Sequence, residues 1–143
     1  MMIRPSIPDD LDAVMRLWLE TNLSAHAFIP AAYWQDNYAG VREMLPDASL
    51  FVYSDAGQVV GFVGLMGTYI AGIFIDAQHQ SQGIGKALLD HVKAHHAELS
   101  LQVYQKNPRA VQFYLREGFS VTGEKIDEAT GETELILHWS RPV

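Results

Sequence analysis

The chain contains no cysteine. That excludes a disulfide framework, a thiolate-held metal and a cysteine nucleophile, so covalent catalysis would fall to another residue type. Basic residues are scarce as well, with 10 Lys and Arg against 17 Asp and Glu and a formal charge of -7. A nucleic-acid surface relies on the opposite excess, so no nucleic-acid partner is expected, and the acidic balance favours basic or amine-bearing partners instead. No apolar run approaches the roughly 20 residues that span a bilayer. The opening Met1-Met2-Ile3-Arg4-Pro5 lacks the apolar core of a signal peptide, and a cytoplasmic protein without membrane attachment is the expectation.

What is present is a chain of 143 residues, 48% hydrophobic, with aromatics throughout. That length suits one domain, 1–143, with a single sizeable core. Ile3-Arg4 reads as a short strand, and Pro8-Asp9-Asp10 as a helix start with acids at the positive end of the dipole. Leu11, Val14, Met15, Trp18 and Leu19 then recur at helical spacing, and a second helical pattern through Trp34, Tyr38, Val41 and Leu45 lies between Pro30 and Pro46.

The period then changes to that of strands. Leu50 to Ser54 and Val59 to Met66 form an expected hairpin about Asp55-Ala56-Gly57, and Tyr69 to Ile75 a further strand. A helix follows whose face carries Ile84, Ala87, Leu88, His91, Val92 and His95. After a strand over Leu99 to Tyr104, Asn107-Pro108 caps a helix that ends at Gly118, and a terminal hairpin runs Phe119 to Ile126 and Thr133 to Trp139. The expected order is β-α-α-β-β-β-α-β-α-β-β, an α/β (α+β) domain without repeats or linkers.

Between the Tyr69 strand and the helix after it stands Gln78-His79-Gln80-Ser81-Gln82-Gly83-Ile84-Gly85-Lys86. A nucleoside-triphosphate loop would need a hydroxyl residue after Lys86 and a glycine at position 80, where the chain has Ala87 and Gln80. A dinucleotide turn would need a small residue at position 88, which is Leu. What remains is either a glycine-softened turn or a cradle of backbone amides at a helix N-terminus, fit for a diphosphate held without metal.

Two stretches point to the second. Ile75-Asp76-Ala77-Gln78-His79-Gln80-Ser81-Gln82-Gly83-Ile84-Gly85 resembles the V-x-P-x-x-[QR]-x-x-G-x-[GA] signature of the GCN5-related N-acetyltransferase (GNAT) family, with Ala77 where proline is frequent. Asn107 to Phe119 resembles the family's N-x-x-A-x-x-[FL]-Y-x-x-x-G-F. His26-Ala27-Phe28-Ile29 is similar to an H-x-F-[IL] stretch of small bacterial members.

The resemblance implies a mixed, mostly antiparallel sheet flanked by helices, and acetyl-CoA as cosubstrate without a metal. It implies that the pantetheine arm lies along the backbone of Phe74, Ile75 and Asp76. The pyrophosphate would sit on the amides of Gln82, Gly83, Ile84, Gly85, Lys86 and Ala87, and Asn107 would touch the cofactor as well as cap its helix. Tyr114 takes the place of the family's general acid, which protonates the leaving thiolate after an amine attacks the thioester directly. A backbone N–H of the Tyr69 strand would steady the oxyanion. Read without that context, Tyr114 is an ordinary core aromatic.

The glutamate that serves some relatives as base is replaced here by Gln102. His26 is then the candidate base, with His79, Glu43, Asp76 or water as substitutes. Phe28, Tyr33 and Tyr69 are candidates to line the acceptor pocket, while Trp34 reads as core. His91 and His95 lack a zinc-binding signature and read as packing or surface residues. The acceptor is expected to be a primary amine, on a protein lysine, a protein N-terminus or a small molecule. The alternative is a CoA-binding regulatory module without catalysis, and either a monomer or a homodimer is compatible with the sequence.

Overall fold

The computed structural model describes residues 2–143. Its elements are β1 (Met2–Pro5), α1 (Leu11–Ala25), α2 (Ala31–Met44), β2 (Ser49–Asp55), β3 (Gln58–Met66), β4 (Tyr69–Ile75), α3 (Ile84–Lys93), β5 (Glu98–Tyr104), α4 (Pro108–Arg116), β6 (Ser120–Ile126) and β7 (Thr133–Ser140). Single 3-10 turns stand before α1, after α2 and between β4 and α3. The order is the one expected from the sequence.

Local chemistry accounts for the boundaries. Asp10 is buried, accepts a bidentate pair of bonds from Arg4 at 2.7 and 3.0 Å and a third from the Ile7 N–H at 2.8 Å, tying β1 to the start of α1. Its carboxyl is held below the usual range, first by the Arg4 hydrogen bonds. At α4, the Asn107 side chain accepts from the Ala110 N–H at 3.2 Å with Pro108 in the first turn. Gly118, at φ +96°, lets the chain turn away beyond Glu117.

The seven strands form one sheet in the order β1-β2-β3-β4-β5-β7-β6. Every neighbouring pair is antiparallel except β4 and β5, which run parallel and share a single register pair, Tyr69 with Ser100. Beyond that pair the two strands part. The β5-facing backbone groups of β4 are thereby left without a sheet partner, a state tolerated only where water or a ligand can reach them.

A bulge precedes this opening. Gly64 pairs with Gly72 and Leu65 with Ile70, so Ala71 is an extra residue on β4. A Cβ on Gly72 would lie 2.5 Å from the Phe74 ring, so any side chain there would force that ring to move.

Side chains alternate across the sheet and build a core on each face. One core joins Ile84, Leu88, Leu89 and Val92 of α3 and Tyr114 of α4 to Val63, Leu65, Leu99, Leu101, Val103 and Leu137. The other joins Val14, Met15, Leu17 and Trp18 of α1 and Trp34 of α2 to Val52, Phe62 and Tyr104. No helix among the described residues is long and apolar enough to cross a membrane.

Candidate active site

The glycine loop opens α3. Ser81 and Gly83 take left-handed φ values of +64° and +82°, and Gly83 is the N-cap. The first backbone donor to find a carbonyl is the Ala87 N–H, at 3.0 Å from Gly83 O. The amides of Ile84, Gly85 and Lys86 ahead of it belong to the first turn, which has no intrahelical acceptors and carries the positive end of the helix dipole. A Cβ on Gly83 would meet nothing within 4 Å, and one on Gly85 only the Phe113 ring at 3.5 Å, so the loop is open at Gly83. The loop therefore suits an anion that needs no metal, as a pyrophosphate does.

Several side chains brace that loop. Gln80 Nε2 donates to the Ile75 carbonyl at 3.2 Å, and Asp76 accepts from the Gln78 N–H at 2.9 Å. Arg109, on α4, donates to Gln80 Oε1 and to Ser81 Oγ, each at 3.0 Å. Sequence reasoning passed over Arg109, whose only signal was its place two residues beyond Asn107. Lys86 turns away from the loop to Glu117 at 3.0 Å and Asp90 at 3.3 Å, so the backbone at this position, rather than the ammonium, faces the cradle. Phe74 stacks on Phe62 with ring centres 4.7 Å apart, leaving its main chain for the slot.

Tyr114 belongs to the core on the α3 and α4 face and is 7% exposed. Tyr69 belongs to the opposite face. It pairs with Met66 and with Ser100, whose neighbours Leu65, Leu99 and Leu101 all point towards α3 and α4. The two phenols nevertheless sense each other. Burial, and then Tyr69, push the Tyr114 hydroxyl pKa well above the usual phenol range. Tyr114 and Tyr69 thus lie on opposite faces of the sheet, which is open between β4 and β5 beyond the Tyr69–Ser100 pair. The Tyr114 hydroxyl makes no hydrogen bond among the described residues, so its proton is not committed within the chain.

His26 lies where the α1–α2 loop crosses β5, with its ring 5.0 Å from Tyr104, 5.4 Å from Trp34 and 5.7 Å from Phe28. Asn107 commits its Oδ1 to the cap of α4, so its Nδ2, 3.2 Å from His26 Nε2, must donate there. The ring proton then sits on Nδ1, which donates to Asn22 Oδ1 at 3.1 Å, and Asn22 Nδ2 donates to the Trp18 carbonyl at 2.8 Å. Burial lowers the His26 pKa to about 4. The expected base is thus a neutral ring with both nitrogens engaged, holding α1 to the cap of α4, and it has no lone pair free for an incoming ammonium.

On that same face Tyr33, Tyr69 and Phe28 come together with two residues that the sequence did not single out, Asp127 and Glu134. The Tyr104 hydroxyl donates to Asp127 Oδ2 at 2.7 Å. Burial and then the charges of Asp127 and Glu134 raise the Tyr33 pKa, and burial and then Glu134 raise that of Tyr69. Asp76 and His79 instead sit 3.7 Å apart in the turn before α3, and His91 packs on Phe51 at 4.7 Å, beside His95. No group of three or more His, Cys, Asp or Glu that could hold a metal ion occurs among the described residues.

A sheet parted between two parallel strands, with free amides at the head of α3 and a buried phenol on α4, fits an acyl transferase that draws on a long, phosphate-bearing donor. Comparison with known proteins agrees. A family model described as "Acetyltransferase (GNAT) domain" matches residues 26–131. The chain is 37% identical over 140 residues to the peptidyl-lysine N-acetyltransferase YiaC of Escherichia coli strain K12, with 96% of each chain covered. The solution structure of apo-form YjaB from Escherichia coli superposes with a TM-score of 0.86 at 31% identity, covering 96% of both chains. The structure of yncA from Salmonella typhimurium with its cofactor acetyl-CoA shares the fold at a TM-score of 0.70 and 14% identity, covering 100% of this chain and 95% of that one. The chain belongs to the GNAT acetyltransferase family and is an N-acetyltransferase.

Proposed function

We propose that the protein transfers the acetyl group of acetyl-CoA to the side-chain amine of a protein lysine. The observation that carries the reading is the open seam between β4 and β5, with the buried Tyr114 phenol on one face of the sheet and Tyr69 on the other. Acetyl-CoA supplies an activated acyl carbonyl when bound. The β4 backbone from Ile70 to Ile75 would hold the pantetheine amides and orient that carbonyl, with Phe74, Ile75 and Asp76 along the arm. The amides from Gln82 to Lys86 would hold the pyrophosphate, the Ala87 N–H expected to join them being bonded instead to Gly83 O, and Asn107, fixed by His26 and Ala110, would steady the arm from the β5 side.

Tyr114 remains protonated because its site penalises the phenolate. It can therefore give its proton to the sulfur as the bond to the acyl carbon breaks. The relatives named as peptidyl-lysine N-acetyltransferases support lysine as acceptor. So does the acidic rim of Asp127 and Glu134, opposite in sign to an ammonium.

The test is thiol release from acetyl-CoA in the presence of lysine peptides, N-terminal amines and small polyamines, repeated with Tyr114→Phe. Transfer to lysine ε-amines that falls about 100-fold in the variant, with acetyl-CoA affinity unchanged, is the expected outcome. Acetyl-CoA binding without transfer to any amine would replace this reading with that of a regulatory CoA-binding module.

A further inference from the structure

The half-buried carboxylates of the terminal hairpin are all accounted for except one. Asp127 accepts from the Tyr104 hydroxyl, and Glu132 pairs with Lys106 at 2.9 Å. Glu134, in the middle of this group, makes no hydrogen bond or ion pair among the described residues. Its place is fixed by register. It pairs with Tyr104 across β5 and β7 and with Lys125 across β6 and β7. Leu135 and Leu137 beside it face α3 and α4. Glu134 thus projects from the other face, on the side of the seam occupied by Tyr69 and Tyr33 and opposite Tyr114.

Leaving a carboxylate partly desolvated and unpaired costs free energy unless something else uses it. Tyr104 is its cross-strand neighbour, its charge reaches Tyr33 and Tyr69, and the cation paired with it across β6 and β7, Lys125, is exposed and makes no ion pair with it. Tyr69, on the same face, borders the seam through its pairing with Ser100, and the charge of Glu134 reaches it.

We propose that Glu134 is the catalytic base of this enzyme, receiving the acceptor's ammonium group on the face opposite Tyr114 and taking one proton from it. The inference rests on the lysine reading of the function. One N–H bond of the ammonium breaks and an O–H bond forms on Glu134. The neutral nitrogen then bonds to the acyl carbon while the C–S bond breaks, and the sulfur takes its proton from Tyr114. The nitrogen's surplus proton restores the phenol, and the proton on Glu134 leaves to water, so each turnover releases one proton.

Burial, and then Asp127, raise the Glu134 pKa, while Lys125 opposes them. A raised pKa brings a carboxylate nearer to the range in which a general base works at neutral pH. The groups facing it are Asp127 and Lys125 from the hairpin, Tyr104 from β5, Tyr69 from β4 and Tyr33 from α2. The phenols among them stay uncharged through neutral pH, which leaves Asp127 and Lys125 as the charges that set its titration.

Glu134→Gln keeps the shape and removes the proton acceptor. With a lysine peptide at pH 7, kcat/KM should fall by about 100-fold or more, with unchanged acetyl-CoA affinity by calorimetry. The deficit should narrow as pH rises towards the lysine pKa. It should shrink strongly for the same peptide bearing an aminooxy group, which is already neutral at pH 7, and Glu134→Asp should recover part of the loss.

Unchanged kcat/KM in Glu134→Gln overturns the assignment. So does a loss equal for the lysine and aminooxy peptides, or one accompanied by weakened acetyl-CoA binding, because a structural role moves all three readouts together. A wild-type protein that acetylates no amine overturns the lysine reading and this inference with it. That failure is distinguishable, because it appears before any variant is made.

Discussion

Acidification from pH 7 to pH 5 should destabilise the fold through His26. The unfolded chain takes up a proton at a histidine pKa of 6.5, whereas the folded chain resists until about 4 because the ring is buried. The unfolded state therefore binds more protons between those values. The stability contributed by the neutral ring is complete above pH 6.5 and is lost as pH falls towards about 4.

At 1.36 kcal/mol per pKa unit, the full loss is about 3 kcal/mol, of which about 2 kcal/mol has gone by pH 5. The assay is urea unfolding at a series of pH values, run in parallel on wild type and His26→Gln. Subtraction removes the contributions of the carboxylates, which are shared. At pH 7 the variant should be less stable by about 1 to 2 kcal/mol, from the bonds to Asn22 and Asn107. The gap should close towards pH 5. Parallel curves for the two proteins would refute the reasoning, as would an imidazole that titrates near 6.5 by NMR or carries its proton on Nε2.

Two further outcomes follow from the donor side of the site. Gly83→Ala adds a methyl group with nothing within 4 Å but asks an L-residue to hold φ +82°, so the cost should be conformational, about 1 kcal/mol. Thermal melting should show a fall of a few degrees, and calorimetry should show weaker acetyl-CoA binding; unchanged affinity would remove Gly83 from the cradle. Arg109→Ala frees Gln80 and Ser81, and because Arg109 is exposed its stability effect should stay under about 1 kcal/mol. The KM for acetyl-CoA should rise several-fold with kcat unchanged in steady-state kinetics, and an unchanged KM would mean that the loop holds its shape alone.

The turns proposed to hold the donor were more legible in the sequence than the face proposed for the acceptor, and the reason is distance along the chain. Gly83 and Gly85 at the head of α3, and Asn107-Pro108 at the head of α4, are local solutions to local problems, so residue types alone locate them. The two glycines Gly64 and Gly72 within strands were a legible hint of the bulge on β4, since glycine in a strand often marks one. His26 and Asn107, by contrast, stand 81 residues apart. No spacing rule shows that the loop histidine will be shut in by Asn22, Asn107 and three aromatic rings. Glu134 looked like any polar residue in an alternating hairpin. Only the pairing of β7 between β5 and β6 brings it beside Tyr104 and on to the face of Tyr69.

The single rung between β4 and β5 divides the sheet into a four-strand and a three-strand ribbon, whose backbone ladders are otherwise separate. A pantetheine chain lying in the seam would act as a temporary extra strand, lending its own amides to edges that the protein leaves bare. Loading the enzyme would then complete the sheet, and discharging it would unzip the sheet again. Departure of the spent carrier would then be a mechanical event in the scaffold as well as a chemical one, and a substitution that stiffens the seam would slow turnover without touching any group that handles a proton.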